Sequence, residues 1–158
     1  MPNYVYICYF IFIWLSTLLG TIYGLYNIIP FYDTILHTVS GVILGAFGYY
    51  IYKTITKTQK NNIAMIALFT ISFAVLLGVL WEFWEFWTDE FFNLNSQRHT
   101  SPSGEPFIGH DAIRDTIYDL MADIIGAIVF FIVYCIWNRT KHKKQEKIID
   151  KDVEEMQE

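Results

Sequence analysis

Four long apolar runs, at residues 4–29, 34–53, 63–87 and 115–137, are separated by two short polar stretches and one long one, 88–114. A helix needs about 20 apolar residues to cross the hydrocarbon core of a bilayer. The pattern therefore predicts an all-α polytopic membrane protein with four transmembrane helices. The polar positions inside the runs are as informative as the apolar ones. At the head of the second run and within it, Asp33, His37, Gly41 and Gly45 recur every fourth residue. In the third, Gly78 precedes Glu82 by one turn, and Glu85 and Asp89 follow; in the fourth, Asp115, Asp119 and Asp123 repeat the spacing. Residues so spaced stack along one face of a helix. Asp123 then lies about 12 Å along the helix from Asp115. An isolated carboxylate at that depth costs several kcal/mol, so it needs a proton, a cation or a water-lined cleft. The first run carries Ser16, Gly20 and Gly24, a stripe of small residues suited to close helix packing. No chemistry is predicted for it, and Pro30 ends it.

Charge orients the predicted spans. Nine of the eleven Lys and Arg fall in two places: Lys53, Lys57 and Lys60 in one connection, and Arg139, Lys141, Lys143, Lys144, Lys147 and Lys151 after the last run. Cytoplasmic segments carry the excess of Lys and Arg. Both termini are therefore predicted cytoplasmic, with 1–138 a four-helix transmembrane domain and 139–158 a charged cytoplasmic tail. Read this way the basic clusters call for no nucleic acid; their partner is the lipid bilayer, with contact to anionic lipid. At 54% hydrophobic and 17% charged residues, a soluble domain is excluded, and the expected location is a membrane crossed several times. The first run is too long for a removable signal peptide and lacks its basic leader and small-residue cleavage site. Cys8 and Cys135 fall near cytoplasmic ends, where no disulfide is expected.

In this topology the polar ends of spans two, three and four meet on the outer side. Ten of the sixteen acids lie there, against only Arg98 and Arg114. Such an excess of negative charge in a low dielectric calls for a bound cation or shared protons. The candidate metal ligands are His37, Glu82, Asp119 and Asp123, with Glu85 or Asp115 as the catalytic base and Asp33 as the acceptor that orients the imidazole. Gly41, Gly78 and Ala127, each beneath a polar group, predict close approach of the three helices. One histidine with several carboxylates suits Zn²⁺, Mn²⁺ or Fe²⁺, whereas an all-oxygen set leans to Mg²⁺ or Ca²⁺. The expected cofactor is thus a divalent metal ion of open identity. The motifs HExxH, CxxC and GxSxG do not occur. Plainer readings stand beside these: a packing role for His37, interfacial solvation for Glu85, and an aromatic belt for Trp81, Trp84 and Trp87. The connection 88–114 is rich in Ser, Pro and Gly and is predicted irregular. It carries Arg98, His99, Glu105, His110, Asp111 and Arg114, and both a lid and a solvated connection remain open for it.

The order Asp33-x-x-x-His37 with Gly41, then Glu82-x-x-Glu85, then Asp115-x-x-x-Asp119-Leu120-x-x-Asp123-x-x-Gly126-Ala127 resembles the YjdF-like small inner-membrane proteins. More distantly it resembles the VanZ-like family, whose pattern has an Asp-His pair, a Glu with a nearby Gln, and a final Asp-x-x-x-Asn-x-x-Gly. Glu85 and Asp123 stand where the VanZ-like pattern tends to have Gln and Asn, a departure from the family linked to glycopeptide resistance. The resemblance spans residues 33–127 and implies a membrane bundle with a polar site.

Three functions are compatible with such a site. One is metal-dependent hydrolysis or transfer on a lipid-linked or envelope substrate. Another is non-enzymatic binding of a cationic or glycopeptide ligand in the acidic cleft. The last is proton-coupled transport by a homodimer, since four spans enclose little pathway alone.

Overall fold

The computed structural model describes residues 3–29, 31–56, 62–101 and 103–156. Pro30 and the loop lysines Lys57 and Lys60 lie outside them. The described residues are helical apart from short breaks, as at Tyr23 and Gly24, and one long connection that holds an isolated bridge between Thr100 and Pro106. Among the described residues, three helices are long and apolar enough to cross a membrane: α3 (Tyr32–Thr56), α4 (Ile63–Phe92) and α5 (Arg114–Glu155). Before them come α1 (Asn3–Trp14) and, after a wider winding, the single turn α2 (Leu25–Ile28).

The first apolar run is thus not the continuous α-helix expected over 4–29. Residues Leu15–Ile22 form a π-helix, in which Tyr23 N–H bonds to Leu18 C=O at 3.0 Å, five residues back. Wider turns loosen the ordinary carbonyl ladder, and Tyr32 Oη donates to Leu15 C=O at 3.1 Å. Gly24 then takes φ 73°, a left-handed conformation open to a residue without Cβ.

The spans pack through missing side chains. A Cβ on Gly41 would collide with the backbone carbonyl of Asp123, and one on Gly126 with the backbone carbonyl of Thr38. The α3 and α5 backbones therefore touch within one turn of His37 and Asp123, as small residues permit in lipid. Gly78 of α4 faces the Asp123 carboxylate, and Ala127 is fully buried. At the other end of the bundle Tyr52, Ile66 and Tyr134 form an apolar core with Tyr49 and Phe69 against it. The outside is greasy: Leu68, Leu76, Ile132 and Val133 are all exposed, as suits side chains that face lipid. Adding one methyl where two backbones touch overpacks the interface. Gly126→Ala should therefore lower stability by about 1–3 kcal/mol, read as a lower unfolding midpoint in detergent micelles; an unchanged midpoint would disprove the close contact.

Beyond the membrane-length portion, α5 runs on unbroken through the basic segment to Glu155. The boundary at 138/139 is a change of composition and not of secondary structure. Lys53 near the end of α3 and the basic segment of α5 lie at the same end of the bundle, away from the 93–113 connection.

Candidate functional site

In its membrane-length portion each of the three long helices carries its acids at the end of the bundle that bears the connection. Asp33 sits in the first turn of α3 and Asp115 in the first turn of α5, where the helix dipole favours negative charge. Asp119 and Asp123 follow on the buried face of α5, with relative exposures of 2% and 1%. His37, one turn into α3, stands between them.

Both ring nitrogens of His37 face carboxylates. Nδ1 lies 3.3 Å from Asp123 Oδ2, while Nε2 lies 3.8 Å from Asp33 Oδ1 and 3.9 Å from Asp119 Oδ2. Ser40 Oγ holds the second oxygen of Asp123 in a short contact. A proton on Nδ1 shared with Asp123 leaves the Nε2 lone pair directed at Asp33 and Asp119. Asp33, His37 and Asp119 each offer one donor atom, all within 4.8 Å of one another. Ligands around a tetrahedral ion at about 2.1 Å are about 3.4 Å apart, so small side-chain rotations bring the three donors to a divalent cation. The donor set of one imidazole and two carboxylates fits such an ion.

The 93–113 connection covers this cleft with defined structure. Asp89, buried near the end of α4, accepts the backbone N–H of Ser96 at 2.7 Å and of Gln97 at 3.0 Å, and pairs with His99 at 3.4 Å. That anchor turns the next two side chains inward. Gln97 Nε2 donates to Glu82 Oε2 at 3.1 Å, and Thr116 Oγ1 donates to the same oxygen at 2.8 Å. Arg98, at φ 46°, bridges Asp33 at 3.2 Å and Asp115 at 3.4 Å. Beyond it Asp111 pairs with Arg114 on the surface.

The residues singled out from the sequence therefore divide into neighbouring groups. His37, Asp119 and Asp123 come together, joined by Asp33 on the Nε2 side; Asp123, rather than Asp33, holds Nδ1. Glu82 belongs to the Gln97–Thr116 network, with its Oε1 buried and without a hydrogen-bond partner. Asp115 pairs with Arg98 through Oδ1, while its Oδ2 is buried without a partner. Glu85 accepts from Trp81 Nε1 at 2.9 Å. Trp81, Trp84 and Trp87 are all exposed on α4, as an interfacial belt requires. Ser40, Gln97 and Thr116 escaped the sequence reading. Ser40 lies three residues after His37 and Thr116 three before Asp119, so helical spacing from the acids would have found both. Nothing local in the sequence marks Gln97, whose place depends on the Asp89 anchor.

Two cavities meet at Asp33. One of about 750 Å³ lies under the connection and includes Glu85 and Arg98 among its walls. The other, of about 380 Å³, runs between the N-terminal segment and helices α3 and α4, with His37, Ser40 and Asp123 at its polar end.

No solved structure matches this chain. An uncharacterised protein of Thermotoga maritima is 27% identical over 117 residues, covering 72% of this chain and 53% of the relative. The chain thus spans about half the length of the curated relative it matches. The family described as "Predicted membrane protein (DUF2238)" matches residues 1–140, in accord with the YjdF-like resemblance; no finding supports the VanZ-like one. With three apolar helices of spanning length and a match over most of its residues, the chain belongs to the DUF2238 membrane protein family.

Proposed function

We propose that the protein is a multi-pass membrane enzyme that hydrolyses or transfers part of a lipid-linked or envelope substrate at a divalent-cation site formed by Asp33, His37 and Asp119. The observation that carries this reading is the arrangement about His37: Nδ1 held by Asp123 at 3.3 Å, and Nε2 turned to two carboxylates at 3.8 and 3.9 Å. A carboxylate behind a ligating histidine fixes its tautomer and orientation. A divalent cation bound there supplies Lewis-acid polarisation of a substrate oxygen. Asp123, steadied by Ser40, keeps the imidazole aimed. Asp115, with one buried oxygen unpartnered, is the proposed base, and Glu85 stands at the rim of the larger cavity as the other base candidate. Arg98 neutralises Asp33 and Asp115 from the connection above.

The test uses purified protein reconstituted with a total lipid extract of bacterial membranes, analysed by mass spectrometry with and without Zn²⁺ or Mn²⁺. Cation-dependent loss of one lipid class, absent in the His37→Ala/Asp119→Ala double variant, is the expected result. An unchanged lipid profile under every condition rules out action on a lipid-linked substrate. The pairing of Asp33 and Asp115 with the Arg98 guanidinium supports a second reading, a non-enzymatic binder whose cationic ligand would displace Arg98 from those two carboxylates. Ligand retained without turnover distinguishes that alternative.

The proposed topology has four spans, with α1 and the π-helical stretch as the first, and both termini in the cytoplasm. The basic residues gathered at one end of the bundle support it. With an impermeant thiol reagent, Ser101→Cys should label from outside and Lys143→Cys only after permeabilisation, in a background where Cys8 and Cys135 are serine. The reverse pattern inverts the bundle and puts the site on the cytoplasmic face.

A further inference from the structure

We infer that the smaller cavity seats an acyl chain of a membrane phospholipid, whose polar head reaches His37 and the larger cavity beneath the connection. The inference rests on the preceding reading only for what happens at the head; the seat for the chain stands on the cavity itself. Its walls in the spanning region are apolar, contributed by Phe12 and Ile13 of α1, Ile43 and Leu44 of α3, and Leu77 and Leu80 of α4. Its polar groups are His37, Ser40 and Asp123, together with Ser16, Tyr26 and Asp33 where it joins the other cavity. Ser16, Tyr26, Asp33, Trp81 and Trp84 line both, so the two form one amphipathic path.

The size and position of the chamber select the occupant. At about 380 Å³ the chamber is many times the roughly 10–15 Å³ that one group the size of water needs, which leaves room for a run of chain carbons. The part of the chamber walled by Phe12, Ile13, Ile43, Leu44, Leu77 and Leu80 offers water no polar partner, and at bilayer depth the surrounding apolar material is acyl chain. The wall formed by α1 rests on α3 through Tyr6 and Tyr9, whose rings meet Phe47 edge-on at 6.5 and 6.3 Å. The opposite wall is α4. A chain between them places the first polar atoms of its lipid beside Ser40 and His37, and the head beneath Arg98.

The experiment uses full-length protein in phosphatidylglycerol vesicles containing a phosphatidylglycerol with a photoactivatable diazirine in its acyl chain. Crosslinked positions are mapped by peptide mass spectrometry. Label is expected at Leu44 and Leu77 as well as at the lipid-facing residues Leu68 and Ile132. Filling the chamber with Leu77→Trp, or from the other wall with Leu44→Trp, should reduce chamber label at the remaining positions to background while Leu68 and Ile132 stay labelled. Asp119→Ala should lose cation binding and keep the chamber label, which separates this inference from the proposed cation site. Label confined to Leu68 and Ile132 in the wild type overturns the inference. So does chamber label that persists in both filled variants, or that disappears with Asp119→Ala.

Discussion

His37→Ala is expected to abolish divalent-cation binding, whereas Asp123→Asn should weaken it by about 10–100-fold. The two variants remove different things. His37 supplies the single nitrogen donor, and without it Asp33 and Asp119 are left as two like charges on separate helices. Asp123→Asn keeps the shape of the side chain and can still accept from Nδ1 through its amide oxygen. It loses the negative charge that makes the imidazole a better ligand, and the contact with Ser40 changes in strength. Titration calorimetry with Zn²⁺ and Mn²⁺ on protein in nanodiscs checks both. Equal affinity in wild type and both variants would mean that any bound metal sits elsewhere. Cation binding should also weaken as pH falls, because ligands must be deprotonated to bind.

Arg98→Ala should move stability and cation affinity in opposite directions. Without a cation, Arg98 is the positive partner of Asp33 at 3.2 Å and Asp115 at 3.4 Å. Its side chain is 41% exposed, so solvent screens the pairs. The carboxylates it serves are largely buried, and stripping a buried acceptor of its partner costs about 1–3 kcal/mol; screening sets the expectation at the lower end. With a cation, the same guanidinium competes for the charge of Asp33, and its removal should raise affinity. The thermal midpoint without metal should fall, and the shift caused by saturating Mn²⁺ should grow. Both effects should shrink in high salt. A loss of affinity instead would assign Arg98 to the binding machinery itself.

Much of the site was legible because helices obey simple spacing. Four-residue repeats placed Asp33, His37, Asp115, Asp119 and Asp123 on inward faces, and the glycines among them foretold where backbones would touch. What spacing cannot convey is the rotation of one helix relative to another. That rotation decided whether Asp33 or Asp123 would hold Nδ1, and it turned Glu82 toward Gln97 and Thr116. The π-helical winding at Leu15–Ile22 was equally hidden, since its residues are as apolar and as helix-compatible as those around it. The connection after α4 was opaque for a different reason. Its order comes from one carboxylate, Asp89, accepting two backbone N–H groups seven and eight residues ahead, a loop contact with no periodicity to betray it.

The unbroken course of α5 has a mechanical consequence. A helix of 42 residues is about 63 Å long at 1.5 Å per residue, whereas the hydrocarbon core of a bilayer is about 30 Å thick. Roughly half of α5 therefore stands clear of the hydrocarbon as a stiff handle, with no hinge between it and the turns that bear Asp115, Asp119 and Asp123. A torque applied to the basic end is a torque on the acid-bearing face. A rotation of about 100°, the angle of one residue, would carry Asp119 and Asp123 off His37 and Asp115 off Arg98 together, so whatever grips the handle also holds the register of the site.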